Sequence, residues 1–164
     1  MRRLTTQAAL TWTSHPLARS IGHSLRVAWS EGRVVAADLV DPSDRDEPPV
    51  GPLGLWIGSW NAGLPSPGLP EDLLDWSSVP LRTRAILGTL SRVPSGRTCT
   101  YANVADWAGI PKGYQAVGQA MSRNPFVLIV PCHRVLARDG GMGGYSAGGP
   151  GVKRRLLEHE GWLP

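Results

Sequence analysis

The chain has 164 residues, enough for one ordinary domain or two small ones and for a core that needs no staples. Its net charge is +4, but residues 79–164 carry eleven Lys and Arg against four acids while residues 1–78 carry six against nine, which points to a polyanion-binding second half. Two cysteines and four scattered histidines give no metal-ligand spacing, no stretch is apolar enough to span a membrane, and the start offers no clean signal sequence; free thiols in a reducing, cytoplasmic setting are expected.

Residues 24–29 alternate loosely, Glu31-Gly32 offers a turn, and residues 33–39 are rich in Val and Ala, so this stretch predicts a β-hairpin. Residues 41–52, rich in Asp, Pro and Ser, predict a loop or link. Residues 53–60 read as another strand, residues 61–70 as a Gly/Pro-rich loop, and residues 71–76, with acids at the start, as one or two helical turns. Nothing before residue 79 carries a chemical motif; Trp12, Trp29, Trp56, Trp60 and Trp76 read as core or interface residues.

From Leu81 the pattern becomes helical. Leu81, Ile86, Leu87 and Leu90 repeat near the helical period, and Pro94-Ser95-Gly96 stops that helix. Thr100 is placed to cap a second helix over residues 101–108, with Val104, Ala105 and Ala108 inward. A turn at residues 109–113 leads to a third, residues 114–123, with Ala116, Val117, Ala120 and Met121 inward. Two short helices joined by a Gly-containing turn have the sequence appearance of a helix-turn-helix. Residues 139–149 form a Gly-rich loop, which lets backbone approach a ligand closely and lacks the context of a nucleotide fingerprint. Residues 152–160 close the chain as a helix with Gly161 as its stop.

The chemistry gathers at Pro131-Cys132-His133-Arg134-Val135. The apolar run 126–130 leads in as a buried extended segment, and Pro131 fixes φ and removes a donor, so Cys132 sits where a buried element turns. A thiol attacks as thiolate and needs a base or a positive field. His133 adjoins it, although neighbours on an extended segment point to opposite sides, which leaves room for a bridging water. A third group should orient the histidine, and spacing alone leaves Glu160 and Glu158 both open.

Pro-Cys-His-Arg-Val, preceded by Asn124-Pro125 and followed by Gly143-Gly144-Tyr145-Ser146, resembles the O6-alkylguanine-DNA alkyltransferases, the suicidal methylated-DNA–protein-cysteine methyltransferases. The likeness runs from about Leu81 to Trp162. It implies an α+β chain: a small sheet-containing N-terminal domain, residues 1–78, then a mainly helical domain, residues 79–164, with a helix-turn-helix and a Gly-rich wing. It implies irreversible transfer of an alkyl group from O6 of guanine, and as a further substrate O4 of thymine, to Cys132 in a single turnover. No cofactor, metal or membrane is called for; the partner is double-stranded DNA carrying O6-alkylguanine, and the protein acts as a monomer.

The resemblance also assigns roles. His133 activates Cys132 through water and Glu160 holds His133. Tyr101 contacts the flipped guanine, Asn124 braces the turn, Val135 offers its carbonyl and Ser146 its N–H to the base, and Met121 lines the cleft. The helix bearing Tyr114, Ala116, Gly118 and Arg123 lies in the minor groove, with Tyr145 beside the base. Gln115 departs from the family, where an arginine fills the stack; Gly144 replaces a common asparagine, and one extra residue lies between Ser146 and Val152-Lys153. Two rival functions remain: a non-catalytic damage-binding or regulatory DNA-binding protein, and a cysteine hydrolase.

Overall fold

The alternation in residues 24–40 becomes two strands of a three-stranded antiparallel sheet. Strand β1 (Thr11–Pro16), which no local pattern announces, pairs with β2 (Ser24–Ser30), and β2 pairs with β3 (Arg33–Val40). Glu31 and Gly32 both take positive φ, 50° and 76°, the geometry of a two-residue hairpin turn whose twist matches the strands. Leu25, Val27, Val34 and Ala37 face the core. The computed structural model describes residues 9–48, 50–67, 69–70 and 72–163; the start of the chain and Glu71, both read above, lie outside them.

Two expectations fail in this half. Residues 53–60 are not a strand: they belong to helix α1 (Gly51–Asn61), which begins with a proline in its first turn. Leu53, Trp56, Ile57 and Trp60 are its buried stripe, spaced by three and four residues. Glycines 54 and 58 lower helix propensity and hid that period. Residues 72–76 are not helical either. They run beside the outer edge of β3, with Val34 N–H donating to Leu73 O at 2.8 Å and Asp75 N–H to Val34 O at 2.8 Å. So short a stretch gains more from that open edge than from a costly isolated helical turn.

The same edge receives the second half of the chain. Ala37 N–H donates to Pro125 O at 2.7 Å, and Val127 N–H donates to Ala37 O at 3.0 Å. The apolar run 126–130 is therefore buried but not extended as expected. After Val127 it turns sharply, with Leu128 at φ 70°, and Val130 N–H closes the turn on Phe126 O at 2.8 Å. A buried leucine in the left-handed region marks a backbone held by its surroundings.

Helix α2 (Leu81–Gly88) and a 3-10 turn (Thr89–Arg92) precede the Pro94 stop. Helix α3 (Tyr101–Trp107) starts at a reciprocal cap in which Thr100 Oγ1 accepts from Asn103 N–H at 3.2 Å and Asn103 Oδ1 accepts from Thr100 N–H at 2.9 Å. After the turn, helix α4 (Tyr114–Ser122) buries Val117, Ala120 and Met121. Strands β4 (Cys99–Thr100) and β5 (Val135–Leu136) form a short parallel pair. Helix α5 (Gly149–His159) ends at Gly161, φ 83°.

One core joins the two halves: Leu25, Ile57 and Trp60 lie in the same buried cluster as Leu87, Phe126 and Leu156. Arg155 Nε donates to Ile21 O at 3.0 Å, and Trp76 packs edge-on against Phe126 at 4.8 Å between ring centroids. Among the described residues no helix is long and apolar enough to cross a membrane.

Candidate active site

Pro131 takes φ −80° and ψ 62°, and Cys132 N–H donates to Val130 O at 2.8 Å. This is an inverse γ-turn, which reverses the chain in three residues. Cys132–Arg134 follow as a single 3-10 turn, so Cys132 and His133 are not arranged as on the extended segment expected from the sequence. Asn124 clamps the whole loop. Its Nδ2 donates to Val130 O at 2.9 Å and to Cys132 Sγ at 3.3 Å, while its Oδ1 accepts from Phe126 N–H at 3.0 Å.

Cys132 is 5% exposed and His133 fully buried. His133 Nε2 lies 2.9 Å from Glu160 Oε1, whose side chain is 1% exposed. Glu158 is exposed. Glu160 sits at the cap position of α5 and is gripped from several sides: Arg134 Nε donates to Oε2 at 2.9 Å and Arg134 Nη2 to Oε1 at 2.8 Å, and Trp60 Nε1 donates to Oε1 at 2.8 Å. Burial would raise the Glu160 carboxyl, but His133 and Arg134 outweigh it and hold it well below the usual carboxylate range.

An ionised Glu160 accepts, so His133 Nε2 must carry its proton and Nδ1 is left as the basic nitrogen. Burial, only partly offset by Glu160, lowers the imidazole and keeps it neutral. Nδ1 is buried without a hydrogen-bond partner among the described residues, as is the Tyr145 hydroxyl. Burial raises the Cys132 thiol, against the pull of Asn124 and Lys153. The resting arrangement is thus a protected thiol next in sequence to a neutral, oriented imidazole.

Lys153 escaped the sequence reading. It is 1% exposed, and its Nζ donates to Val135 O at 2.6 Å and Met142 O at 2.5 Å. Burial lowers its ammonium to about 8, with Cys132 pulling the other way. Its signal was positional: Lys153, Leu156, Leu157 and Glu160 fall on one face of α5, so a lysine there enters the core. Arg134 and Trp60 also belong to this cluster, with no local sequence pattern that marks their link to Glu160.

Tyr101 lies half-buried at the mouth. Burial and nearby Cys132 raise its hydroxyl. A Cβ placed on Gly143 would come 3.6 Å from that hydroxyl, and one on Gly118 would come 4.0 Å from the ring, so the glycine loop and α4 both approach it. Tyr145 is buried and Ser146 exposed. The Val135 carbonyl already accepts from Lys153 and keeps one lone pair. Tyr114, Gln115 and Arg123 are exposed on or just after α4, Ala116 is half-buried, and Met121 is buried. The structure thus gathers Cys132, His133, Glu160 and Asn124 and leaves Tyr114, Gln115 and Arg123 on an outer face. Cys99, the other free thiol, is buried on β4 and pushed up to about 11 by burial. Among the described residues no group of three or more His, Cys, Asp and Glu side chains could hold a metal ion.

The family described as 6-O-methylguanine DNA methyltransferase, DNA binding domain, matches residues 82–162. A methylated-DNA–protein-cysteine methyltransferase of Methanothermobacter thermautotrophicus is 37% identical over 153 residues, covering 90% of this chain and 82% of that protein. The chain belongs to the O6-methylguanine-DNA methyltransferase family. The family member of Mus musculus bearing the same name is 45% identical over 100 residues, 60% of this chain; the match spans 46% of that protein, about half its length. Among solved family structures, Mycobacterium tuberculosis OGT in complex with DNA aligns with a TM-score of 0.71 at 28% identity over 91% of both chains. The O6-methylguanine-DNA methyltransferase of Pyrococcus kodakaraensis aligns at 0.66 and 25% identity, over 93% of this chain and 99% of that one. The α+β architecture expected from the family resemblance is the one found.

Proposed function

We propose that the chain reverses alkyl damage in DNA directly, moving an alkyl group from O6 of guanine onto Cys132 Sγ. The observation that carries this reading is the Glu160–His133 pair buried beside Cys132, in a chain of this family. The step balances without a co-reactant. His133 Nδ1 accepts the thiol proton, directly or through water. Sulfur attacks the alkyl carbon in line, an S–C bond forms, the C–O6 bond breaks, and its electron pair stays with the purine, which takes a proton to become guanine. Tyr101 stabilises the charge that develops on the base. The thioether at Cys132 has no route back to a thiol, so each molecule acts once and needs no cofactor.

A base inside a duplex is out of reach of a buried thiol, so the nucleotide is flipped into the site, at lowest cost where damage weakens pairing. The exposed basic residues of the second half meet phosphates, and α4 enters the minor groove with Tyr114, Gln115, Ala116, Gly118 and Arg123 toward the DNA. The degenerate pattern of that groove gives little sequence preference, which suits a repair protein. Met121, the Val135 carbonyl, Tyr145 and the Ser146 N–H complete the base pocket. Residues 79–164 carry the chemistry and residues 1–78 support them. The protein acts as a monomer in a reducing, cytoplasmic compartment. A damage-binding protein without chemistry would need neither the thiol nor the base beside it. Intact mass after incubation with O6-methylguanine duplex should show one added methyl group, mapped to Cys132. A label on Cys99, or none on Cys132, overturns the reading.

A further inference from the structure

Helix α1 belongs to the half of the chain without a chemical motif, yet it touches the innermost carboxylate of the site. Trp60 is 2% exposed, and its indole N–H reaches the same Glu160 oxygen that meets His133. The ring also packs on His159 at 4.4 Å between centroids, and the Trp60 carbonyl lies 2.8 Å from His159 Nε2. The last turn of α5 is therefore tied to α1 twice, through adjacent residues.

From this geometry we infer that Trp60 is a positioning residue for alkyl transfer, holding the Glu160 carboxylate that orients His133. The role rests on the alkyl-transfer reading above. Glu160 sits at a helix end, where backbone frays unless tertiary contacts hold it. Arg134 fixes the carboxylate through both oxygens. That leaves rotation about this clamp and the charge on Oε1 to be set by the remaining donors. An indole nitrogen only donates, so a buried Trp60 has no alternative use for its N–H.

Three donors crowd one oxygen: Trp60 Nε1, Arg134 Nη2 and His133 Nε2, at 2.8, 2.8 and 2.9 Å. Each draws on the same charge, so the indole moderates the pull of Glu160 on the imidazole proton. The charged groups acting on the His133 imidazole are Glu160, Arg134 and Lys153; α1 contributes only this neutral donor. Removing the indole N–H should leave Oε1 richer in charge and the carboxylate less firmly placed. The imidazole then becomes easier to protonate and worse aligned.

The test follows the ring nitrogens of His133 by 15N NMR across pH, alongside Cys132 alkylation by O6-methylguanine duplex and free O6-benzylguanine. The variants are Trp60→Phe, Glu160→Gln and the double substitution. Replacing Trp60 by 3-benzothienylalanine keeps ring shape and deletes only the N–H, which covers the case in which Trp60→Phe does not fold. Loss of the N–H should raise the His133 titration by about half a unit or more. Alkylation should slow roughly ten- to a hundredfold, as when an outer partner of a working histidine is lost. Neither change should appear in the Glu160→Gln background. A melting-temperature loss with an unmoved His133 titration, or equal effects with and without Glu160, overturns the proposal. If wild-type Cys132 takes no label, alkyl transfer is the reading that fails, while the imidazole titration still decides the role of Trp60.

Discussion

The tautomer of the imidazole in the proposed reaction is set by one buried carboxylate. Because Glu160 stays ionised, His133 is locked as the Nε2–H tautomer and its basic nitrogen is Nδ1. Glu160→Gln keeps the size but offers an amide that also donates, so the tautomer is no longer dictated. Single-turnover alkylation should slow by about 100-fold or more, with DNA affinity by gel shift unchanged; exposed Glu158→Gln should react like wild type. The same pair sets acid sensitivity. Glu160 is lowered in the fold, so its contribution is present above its ordinary value of 4.5 and is lost as pH falls toward the folded value. His133 is also lowered, so the unfolded chain takes up a proton below 6.5 before the fold does, and stability falls in that window too. Both act in one direction: the protein loses stability on acidification, and Glu160→Gln should flatten the lower limb of melting temperature against pH.

Legibility differed from element to element, for physical reasons. The hairpin, the capped helix α3, α4 and α5 were readable because local signals agreed with the tertiary outcome: a two-residue turn, Thr100 before an apolar stripe, a glycine after the last turn. Helix α1 reads as a strand in the sequence because its glycines at 54 and 58 imitate alternation, and residues 72–76 read as helical because the open sheet edge that decides their conformation is not local. Cys132 and His133 stand out through the motif, whereas spacing leaves Glu160 and Glu158 open and only the family resemblance points to Glu160, the carboxylate that lies 2.9 Å from His133. Trp60 is not legible, because its link to Glu160 crosses 100 residues and no local pattern encodes it. Helix α4 carries the prediction that belongs at this scale. Gln115 is exposed where the family resemblance implies a stacking arginine. A planar guanidinium stacks on bases and attracts phosphate, whereas glutamine is shorter and uncharged. Gln115→Arg should therefore speed reaction with O6-methylguanine in duplex while leaving the rate with free O6-benzylguanine about equal, since only the duplex must be opened. Equal duplex rates would move the stacking role to Tyr114. A parallel gain on the free base would mean that Gln115 acts on the pocket itself.

At the scale of the molecule, the quieter half is what holds the reactive loop. The loop that carries Cys132 hydrogen-bonds the edge of β3, the carboxylate that orients His133 hydrogen-bonds α1, and the terminal helix hydrogen-bonds Ile21. None of these contacts lies within residues 79–164 alone, and all converge on one apolar core. Two consequences follow for unfolding. Among the described residues the two halves share one buried core, so they should melt together, with tryptophan fluorescence, far-UV signal and heat absorption sharing one midpoint. The thiol should share it too. Cys132 is shielded by the loop that Asn124 clamps and that β3 backs, so its exposure requires the loss of those same contacts. Reaction of Cys132 with a neutral disulfide reagent, followed through the melt by peptide mapping, should stay slow until that common midpoint and then rise sharply. Were the thiol to open well below it, the loop would be a separately unfolding unit and the sheet edge would not be its support. Ala37→Pro separates these cases, because it deletes the one N–H that meets Pro125 O at the sheet edge. If β3 holds the loop, this change should lower the midpoint for Cys132 exposure at least as much as the midpoint for global unfolding.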